Sequence, residues 1–381
     1  MIKKGIIIAC ILLLCSVCYG QMHVIPAKGI VLPKDSTALI NAIEGFLSRA
    51  KPNKDNPYIL KENLIETSAL LDEMKGMQNA GATKPDFYKC YLSNVSALDS
   101  NGYIIQLSYL GGDGQAPVLR AVFKILALKK DGQYYLSSPL KRNTLTWNKQ
   151  KTGNFTVYRN TTDKVQLLDK YIKTAMEFDK KLHANNYITQ IYYCYNFTDA
   201  MALLGEDYKL DYNSLANDNN SWFEPGDNLQ IIGANKDDKV AFDLHDLWHN
   251  RLHHVVSTDI INRPIDEGCA YLYGGSWGVY TWQTVFETFK TYMGTDHDWL
   301  KAFTDHRRFG GAKTPLYTDY VINALIAQKI EKEKGFAQVI AFLSCGKKQP
   351  DNANYFTALE KITGITKTTF NAEIEKLVME K

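Results

Sequence analysis

The chain has 381 residues, of which 45% are hydrophobic and 22% are charged, and its 44 Lys and Arg residues nearly balance its 41 Asp and Glu residues. This composition is typical of a globular protein and excludes disordered, collagen-like and coiled-coil proteins. A net charge of +3 without a long basic run excludes a nucleic-acid partner, because phosphate binding needs a clustered basic face. The length favours two domains, because a single hydrophobic core rarely grows beyond about 250 residues.

The N-terminus has the pattern of an export signal. Two lysines precede an apolar stretch from Ile6 to Val17, which is too short to cross a bilayer, and small residues follow it. We expect residues 1–20 to be a signal peptide cleaved after Gly20, so that the mature protein is secreted or periplasmic. The alternative is a lipoprotein acylated on Cys18 or Cys15. No later apolar run is long enough for an integral membrane span in the mature chain.

Four cysteines remain after the signal: Cys90, Cys194, Cys269 and Cys345. They are widely separated, and in an oxidising compartment three pairings are possible. No CxxC spacing exists, so neither a thiolate zinc site nor a redox motif is supported. Four buried free cysteines and one or two disulfides are both compatible with the sequence.

From residue 21 to 150 the sequence predicts helices followed by strands. Apolar residues recur at three- and four-residue spacing from Ser36 to Ala50 and from Leu60 to Gln78, which predicts two helices. Strands separated by Asn, Asp and Gly turns are predicted at 87–95, 103–110, 117–130 and 134–140. This is a small α+β accessory domain, an antiparallel sheet on helices, and its arrangement resembles cystatin-like and nuclear-transport-factor-like domains. We expect a packing role for it, because it carries no catalytic constellation.

Polar residues from Asn143 to Asn160 predict a boundary, after which a second domain occupies residues 155–381. The fold class of the whole chain is therefore predicted as α+β, with the second domain mainly helical. A helix, two strands and a run of helices are predicted, in that order, at 163–183, 187–197, 229–232 and 240–381.

The chemistry is predicted between His245 and Glu267. His245 and His249 are four residues apart, which on a helix places them about 40° apart around the axis and one turn apart along it, so both imidazoles can reach one cation. Glu267 begins a second helix after a turn-forming stretch. Two imidazoles and a carboxylate, with a fourth position left to water, are the ligands of a catalytic zinc site.

This pattern resembles the gluzincin superfamily of zinc metallopeptidases, in which HExxH is followed by a second helix with a ligand Glu. The matching segments are His245-Asp-Leu-Trp-His249 and Glu267-Gly-Cys-Ala270, and the Gly-rich segment Gly274 to Gly278 matches a helix that often follows in the family. The resemblance extends over most of the C-terminal half. It implies a Zn²⁺ cofactor held by the two histidines and Glu267, a peptide or protein substrate, and hydrolysis by a metal-bound water.

One residue departs from the family pattern. Asp246 stands where the family has its general base Glu, and Asp is shorter by one methylene, about 1.5 Å. Since a misplacement of about 1 Å can cost on the order of a hundredfold in rate, a metal site is better supported than hydrolysis. The alternatives are an inactive pseudopeptidase or surface binding protein that keeps the fold, with or without the metal, and a structural or glycan-contacting protein rich in Tyr.

Gluzincins often take an oxyanion donor from a Tyr or His downstream of the glutamate ligand, and Tyr317 and Tyr320 are the candidates here.

The remaining residues near the motif have structural interpretations. Trp248 and Leu252 are predicted in the core, and His253 and His254 at the surface or behind the ligands. Asp266 either orients a ligand histidine or supplies a helix N-terminal charge. The glycines between Gly274 and Gly278 are predicted inside a helix, where they allow close helix contact.

Overall fold

The computed structural model describes residues 23–380, apart from 49–55, 80, 82–83, 100–101, 113, 115, 161–163, 185 and 225. The predicted signal peptide and its cleavage site after Gly20 lie outside the described residues. Among the helices that are described, none combines the length and the apolar character that a membrane crossing requires. The chain divides into two compact units, one formed by Met1–Trp147 and Thr198–Leu215, the other by Asn148–Phe197 and Ala216–Lys381.

The fold is α+β, as predicted. The strands are β1 Val24–Pro26, β2 Lys89–Asp99, β3 Gly102–Gly112, β4 Pro117–Lys130, β5 Gln133–Ser137, β6 Asn148–Thr152, β7 Phe155–Arg159, β8 Ile188–Cys194, β9 Glu206–Lys209, β10 Asp218–Glu224, β11 Asp227–Gly233, β12 Arg308–Gly310 and β13 Pro315–Tyr317. The helices are α1 Ser36–Leu47, α2 Leu64–Met74, α3 Leu140–Asn143, α4 Gln166–Leu182, α5 Phe197–Leu204, α6 Leu244–Leu252, α7 Arg263–Gly274, α8 Trp282–Met293, α9 Trp299–Thr304, α10 Thr318–Lys334, α11 Phe336–Leu343, α12 Ala353–Thr363 and α13 Phe370–Met379. Short 3-10 turns cover Lys61–Asn63 and Leu210–Tyr212.

The first unit is built on a sheet of order β1-β2-β3-β4-β5. β1 is parallel to β2, and the following strands form the predicted antiparallel meander. Phe123, Ile125 and Ala127 of β4 are fully buried, as the two-residue period of a strand with one covered face requires. α1 and α2 pack against β5, so the core lies between these helices and the sheet.

A segment from the later part of the chain completes this sheet. β9 pairs antiparallel with β4, with Lys209 opposite Ala121 and Glu206 opposite Phe123. Thr198–Leu215 therefore belongs to the first unit, although it lies beyond residue 150 in the sequence. Nothing in the local pattern of a four-residue strand identifies its partner, because that pairing is a long-range contact.

The second unit contains a sheet of order β10-β11-β8-β7-β6. The inner pairs β11–β8 and β8–β7 are parallel, and the two edge strands are antiparallel to their neighbours. The parallel pair β7 and β8 is connected by α4, since parallel neighbours need a crossover connection. α4 packs on α6, which is thereby placed next to the sheet.

The polar stretch 143–160, predicted as a boundary, contains two strands of this sheet, β6 and β7, in addition to the division between Trp147 and Asn148. Every side chain of β6 is exposed. An edge strand of this kind has no apolar alternation, so its sequence has the composition of a loop. β10 was not predicted for the same reason, because none of its side chains is fully buried.

Helices α6, α7 and α10 form the centre of the second unit's core, with α7 packed on both others. A Cβ at Gly268 of α7 would lie 2.5 Å from the Cβ of Asn323 on α10, so the close approach of these helices requires glycine. Trp248 and Leu252 of α6 are fully buried, which confirms their predicted core positions. The two helices that carry the motif are thus held by close packing.

The Gly-rich segment is not the helix that was predicted. α7 ends at Gly274, and Gly275 and Gly278 adopt φ values of +83° and +65°, in the left-handed region that favours glycine. A Cβ on Gly275 would lie 2.0 Å from the carbonyl oxygen of Tyr280. These glycines therefore turn the chain out of α7 into a tight loop.

Candidate metal centre

The first histidine pair is presented by the N-terminal turns of α6. The side chain of Asp243 accepts a hydrogen bond from the backbone N–H of His245 at 3.0 Å and caps the helix. Leu247 and Trp248 point into the core, which turns His245 and His249 towards α7. The local sequence therefore produces both the helix and the face on which the imidazoles lie.

Three donor atoms converge between α6 and α7. The Nε2 atom of His245 lies 3.1 Å from Oε2 of Glu267 and 3.2 Å from Nε2 of His249, and the remaining pair is separated by 3.7 Å. Ligands at zinc-like distances in a tetrahedral site are about 3.3–3.6 Å apart. The arrangement is therefore of the right size to hold a single metal ion.

Both imidazoles are oriented through their other nitrogen. Nδ1 of His245 lies 3.1 Å from the carbonyl oxygen of Gly275, and Nδ1 of His249 lies 2.9 Å from Oδ1 of Asp266. When Nδ1 donates to these acceptors, Nε2 keeps its lone pair for the metal, as is usual for metal-bound histidine. Both interpretations of Asp266 are compatible with the structure, because the residue is hydrogen-bonded to His249 and also lies in the first turn of α7.

The carboxylates of α7 are held from a second side by Arg263. Its guanidinium pairs with Oε1 of Glu267 and lies 3.7 Å from Oδ2 of Asp266. Asp266 is fully buried and also accepts from Nε1 of Trp248 at 3.3 Å. Glu267 is thus left with Oε2 directed at the two histidines.

Protons and metal compete for this cluster. Burial lowers the pKa of His249, but its hydrogen bonds to Asp266 and Glu267 outweigh burial and raise the pKa to about 9. Burial raises the pKa of Asp266, but the hydrogen bond from His249 and the nearby His253 bring it down to about 2. Glu267 is likewise lowered below its usual range, because His245 and His249 outweigh the effect of burial. In the absence of a metal, a proton on His249 balances the carboxylates.

A second group of potential metal ligands is formed by His249, His253 and Asp266. His253 is partly buried and its Nε2 lies 3.7 Å from Oδ2 of Asp266, so it supports that carboxylate from behind, one of its two predicted positions. His254, its neighbour, is buried against the rings of Tyr187 and Phe223. The two groups share His249, so a metal in the first leaves Asp266 to orient the shared ligand.

The candidate catalytic residues lie at different distances from the donors. Asp246 is exposed on α6, immediately after His245. Tyr320 contacts Tyr271 edge-to-face, and the ring centre of Tyr271 is 5.6 Å from that of His245. The ring of Tyr317 packs against that of Tyr320. Burial, with Glu267 next in importance, raises the pKa of Tyr320, so its hydroxyl stays protonated and can donate a hydrogen bond.

Tyr271, His306 and Asp319 also belong to this region, although no sequence motif gives them a role. Tyr271 follows Glu267 by one helical turn, and this spacing indicates that the two side chains lie on the same face of α7. Nδ1 of His306 lies 2.7 Å from Oδ1 of the buried Asp319, and its ring stacks on Tyr317 at 4.2 Å between centres. The pairing of His306 with Asp319 spans a loop and β12–β13, so no local period indicates it.

The four cysteines of the described chain, Cys90, Cys194, Cys269 and Cys345, are free. Of the two states that the sequence left open, the structure has the unpaired one.

No known protein family and no curated protein matches the chain. The assignment of a function therefore depends on the geometry of the cluster, and the result that stands is a His₂–carboxylate group able to hold a metal ion.

Proposed function

We propose that the protein is an exported, zinc-dependent metallopeptidase of gluzincin type. The observation that carries the proposal is the convergence of the donor atoms of His245, His249 and Glu267 within 3.1–3.7 Å, with both histidines oriented through Nδ1. Two imidazoles and a carboxylate are a catalytic zinc ligand set. Export is inferred from the sequence of residues 1–20.

Zinc would be held by His245, His249 and Glu267. When bound, it polarises a substrate carbonyl and lowers the pKa of a water molecule into the neutral range. Iron(II) also uses two histidines and a carboxylate, so the bound metal must be identified by elemental analysis of the protein from its native host. Stoichiometric iron would contradict the proposal, and about one zinc per chain supports it.

Proton transfer is assigned to the residues around the donor set. Asp246 is an exposed carboxylate next to His245, where it can accept a proton from water and return it to a leaving amine. Tyr320 keeps its proton and can donate to a developing oxyanion. Tyr317 holds the ring of His306 by stacking, and Asp319 fixes the orientation of that ring, so these two residues position a further donor.

The second candidate is an inactive pseudopeptidase or surface binding protein that keeps the metal. The observation that favours it is Asp246 itself, whose carboxylate is one methylene shorter than the Glu of the family pattern. Metal binding does not depend on this residue, because Asp246 is outside the group of ligands.

The test is hydrolysis of a peptide library by the zinc-loaded protein and by Asp246 variants. If the first function holds, Asp246→Asn abolishes turnover with zinc retained, and Asp246→Glu raises turnover by bringing the carboxylate closer to the water. The control is Asp237→Asn, which removes another exposed carboxylate upstream of α6. Zinc bound without hydrolysis in the wild type and in Asp246→Glu alike would assign the second function.

A further inference from the structure

A cavity of about 380 Å³ lies in the second unit and is lined by none of the proposed metal ligands. Its walls come from α4, from the segment that leads into α6, from the C-terminal end of α7 and the loop that follows it, and from the start of α8. It adjoins the metal centre, because Gly275 lines the cavity with its backbone and accepts the hydrogen bond of His245. Its volume lies in the range of small-molecule sites, roughly 300–1,000 Å³.

The walls are mainly aromatic and apolar. Five rings line the cavity: Tyr171, Phe242, Tyr273, Tyr280 and Trp282. The three tyrosine hydroxyls are already engaged, by Asn219, Glu331 and Thr314 respectively. The tyrosines therefore contribute mainly the apolar surface of their rings.

The charged groups of the cavity are both positive. Lys170 and Lys239 are exposed lining residues, and the lining residues that the structure describes include no Asp or Glu. Among the described residues, neither lysine takes part in an ion pair. The carboxylate of Asp246 also acts electrostatically on the lining residue Tyr171, so the two lysines are not the only charges close to the cavity. Two ammonium groups next to a set of rings are complementary to an anion with an apolar body.

The edge of the cavity is also apolar. Val279 lines it and is 52% exposed, and Val240, the neighbour of Lys239, is 60% exposed. Exposed branched side chains around a concave site provide area that a ligand can cover. The tight turn at Gly278 holds Val279 here, because a Cβ at Gly278 would lie 2.0 Å from the carbonyl oxygen of Lys239.

We propose that this cavity binds a small amphipathic carboxylate, with its aromatic or branched body among the rings and its carboxylate paired with Lys170 and Lys239. The site goes beyond the proposed function and does not require the metal. Binding is driven by apolar burial, and the two lysines select an anion over its neutral analogue.

The experiment titrates the mature protein with phenylacetate, phenylacetamide and acetate, and follows binding by protein NMR or calorimetry. Phenylacetate has the ring and the charge, phenylacetamide has the ring alone, and acetate has the charge alone. We expect phenylacetate to bind roughly tenfold more tightly than phenylacetamide, because two partly exposed ion pairs together contribute about that factor. Acetate should show no saturable binding. Each titration is run with zinc and with a chelator, and the same affinities are expected in both.

Two variants locate the site. Lys170→Met/Lys239→Met should lower phenylacetate affinity roughly tenfold and leave phenylacetamide unchanged. Val279→Trp should weaken both ligands by covering the cavity, and it is expected to fold because Val279 is exposed. Lys180→Met, which removes an exposed lysine of α4 outside the cavity, is the matched control and should change neither affinity.

Equal affinities for phenylacetate and phenylacetamide would overturn the assignment of the lysines. Absence of saturable phenylacetate binding, or binding that Val279→Trp leaves intact, would overturn the site. These outcomes do not bear on the metal, which is measured separately by elemental analysis and hydrolysis.

Discussion

Two buried carboxylate clusters, one in each unit, respond to burial in opposite ways. In the first unit, Glu206 has a pKa raised to about 8, because burial and the nearby Glu73 outweigh the attraction of Lys209. In the second unit, Glu267 has a pKa below its usual range, because His245 and His249 outweigh burial. Both glutamates are less than 10% exposed. The partners decide the charge of a buried carboxylate, since burial acts in the same direction on both.

The difference separates a structural cluster from one that could hold a metal ion. In the first unit, Lys209 pairs with Glu73, which also accepts a hydrogen bond from the hydroxyl of Tyr212 at 2.9 Å. The positive charge is therefore the ammonium group of a lysine side chain, which is a permanent part of the protein. In the second unit the balancing charge is a proton on His249, which a metal ion can replace.

The largest effect is expected on stability in the first unit. Lys209→Met leaves the buried Glu73 without its cation and should lower the free energy of unfolding by about 3–5 kcal/mol, measured by urea denaturation. Lys124→Met, which removes a half-exposed partner of Asp207, is the control and should cost no more than about 1 kcal/mol. Adding Glu73→Gln to Lys209→Met should recover most of the loss. Equal losses in the free energy of unfolding for the two lysine variants would contradict a structural role of the cluster.

The next effect concerns the ligands. His245→Ala should reduce zinc affinity by more than about a hundredfold. Removal of a residue that only orients a ligand costs up to about a hundredfold in metal affinity, and removal of the ligand itself should cost more. His253→Ala is the matched control, because His253 lies on the same helix and contacts Asp266 but is not among the three converging donors. Competition with a chromophoric chelator measures both affinities. Similar losses of zinc affinity for both variants would instead assign the metal to the group formed by His249, His253 and Asp266.

A smaller effect is expected from the residue that orients His249. Asp266→Asn keeps the size of the side chain but weakens its acceptance of the His249 Nδ1–H, so zinc affinity should fall about 10–100-fold. Circular dichroism of the variant checks that the fold is retained. An unchanged affinity in a folded variant would mean that α6 alone orients the imidazole.

The smallest effect, expressed per pH unit, is the response of the two clusters to pH. Zinc affinity at the second cluster should rise with pH, whereas the stability contributed by the first cluster should fall. A proton must leave His249 before zinc binds, so zinc affinity should rise about tenfold per pH unit below pH 9. In the first unit, Glu206 is neutral in the folded protein below about pH 8, whereas its usual pKa is 4.5. Its contribution to stability is therefore complete below pH 4.5 and is lost as the pH rises towards 8, at up to about 1.4 kcal/mol per pH unit.

The variant Glu206→Gln isolates the second of these responses. It should flatten the fall in stability between pH 5 and pH 8, measured as the difference from the wild type, because glutamine stays neutral throughout. Glu62→Gln, which changes an exposed glutamate, is the control and should leave the fall in stability with pH unchanged. A parallel decline in wild type and Glu206→Gln would show that another group titrates.

Part of the fold was predictable because its signal is local. The meander β2–β5 has alternating apolar residues and Gly turns, and α4 has apolar residues at helical spacing, so both could be predicted. β6 and β10 could not, because an edge strand whose side chains are exposed, as in β6, or at most partly buried, as in β10, lacks that alternation. The end of α7 was predicted wrongly, because glycines inside a helix and glycines that end one look alike in sequence until the packing of Gly275 on Tyr280 is known.

The sequence by itself determined which residues are available for chemistry. His245 and His249 are one helical turn apart by the geometry of any α-helix, and Glu267 follows a turn-forming stretch. Only the tertiary structure decided how they are used. The packing of α6 on α7 sets the 3.1 Å distance from His245 to Glu267, and it makes Asp266 an acceptor for His249. Distances between helices depend on side chains packed from elsewhere in the chain, such as Asn323 against Gly268, and no local spacing contains that information.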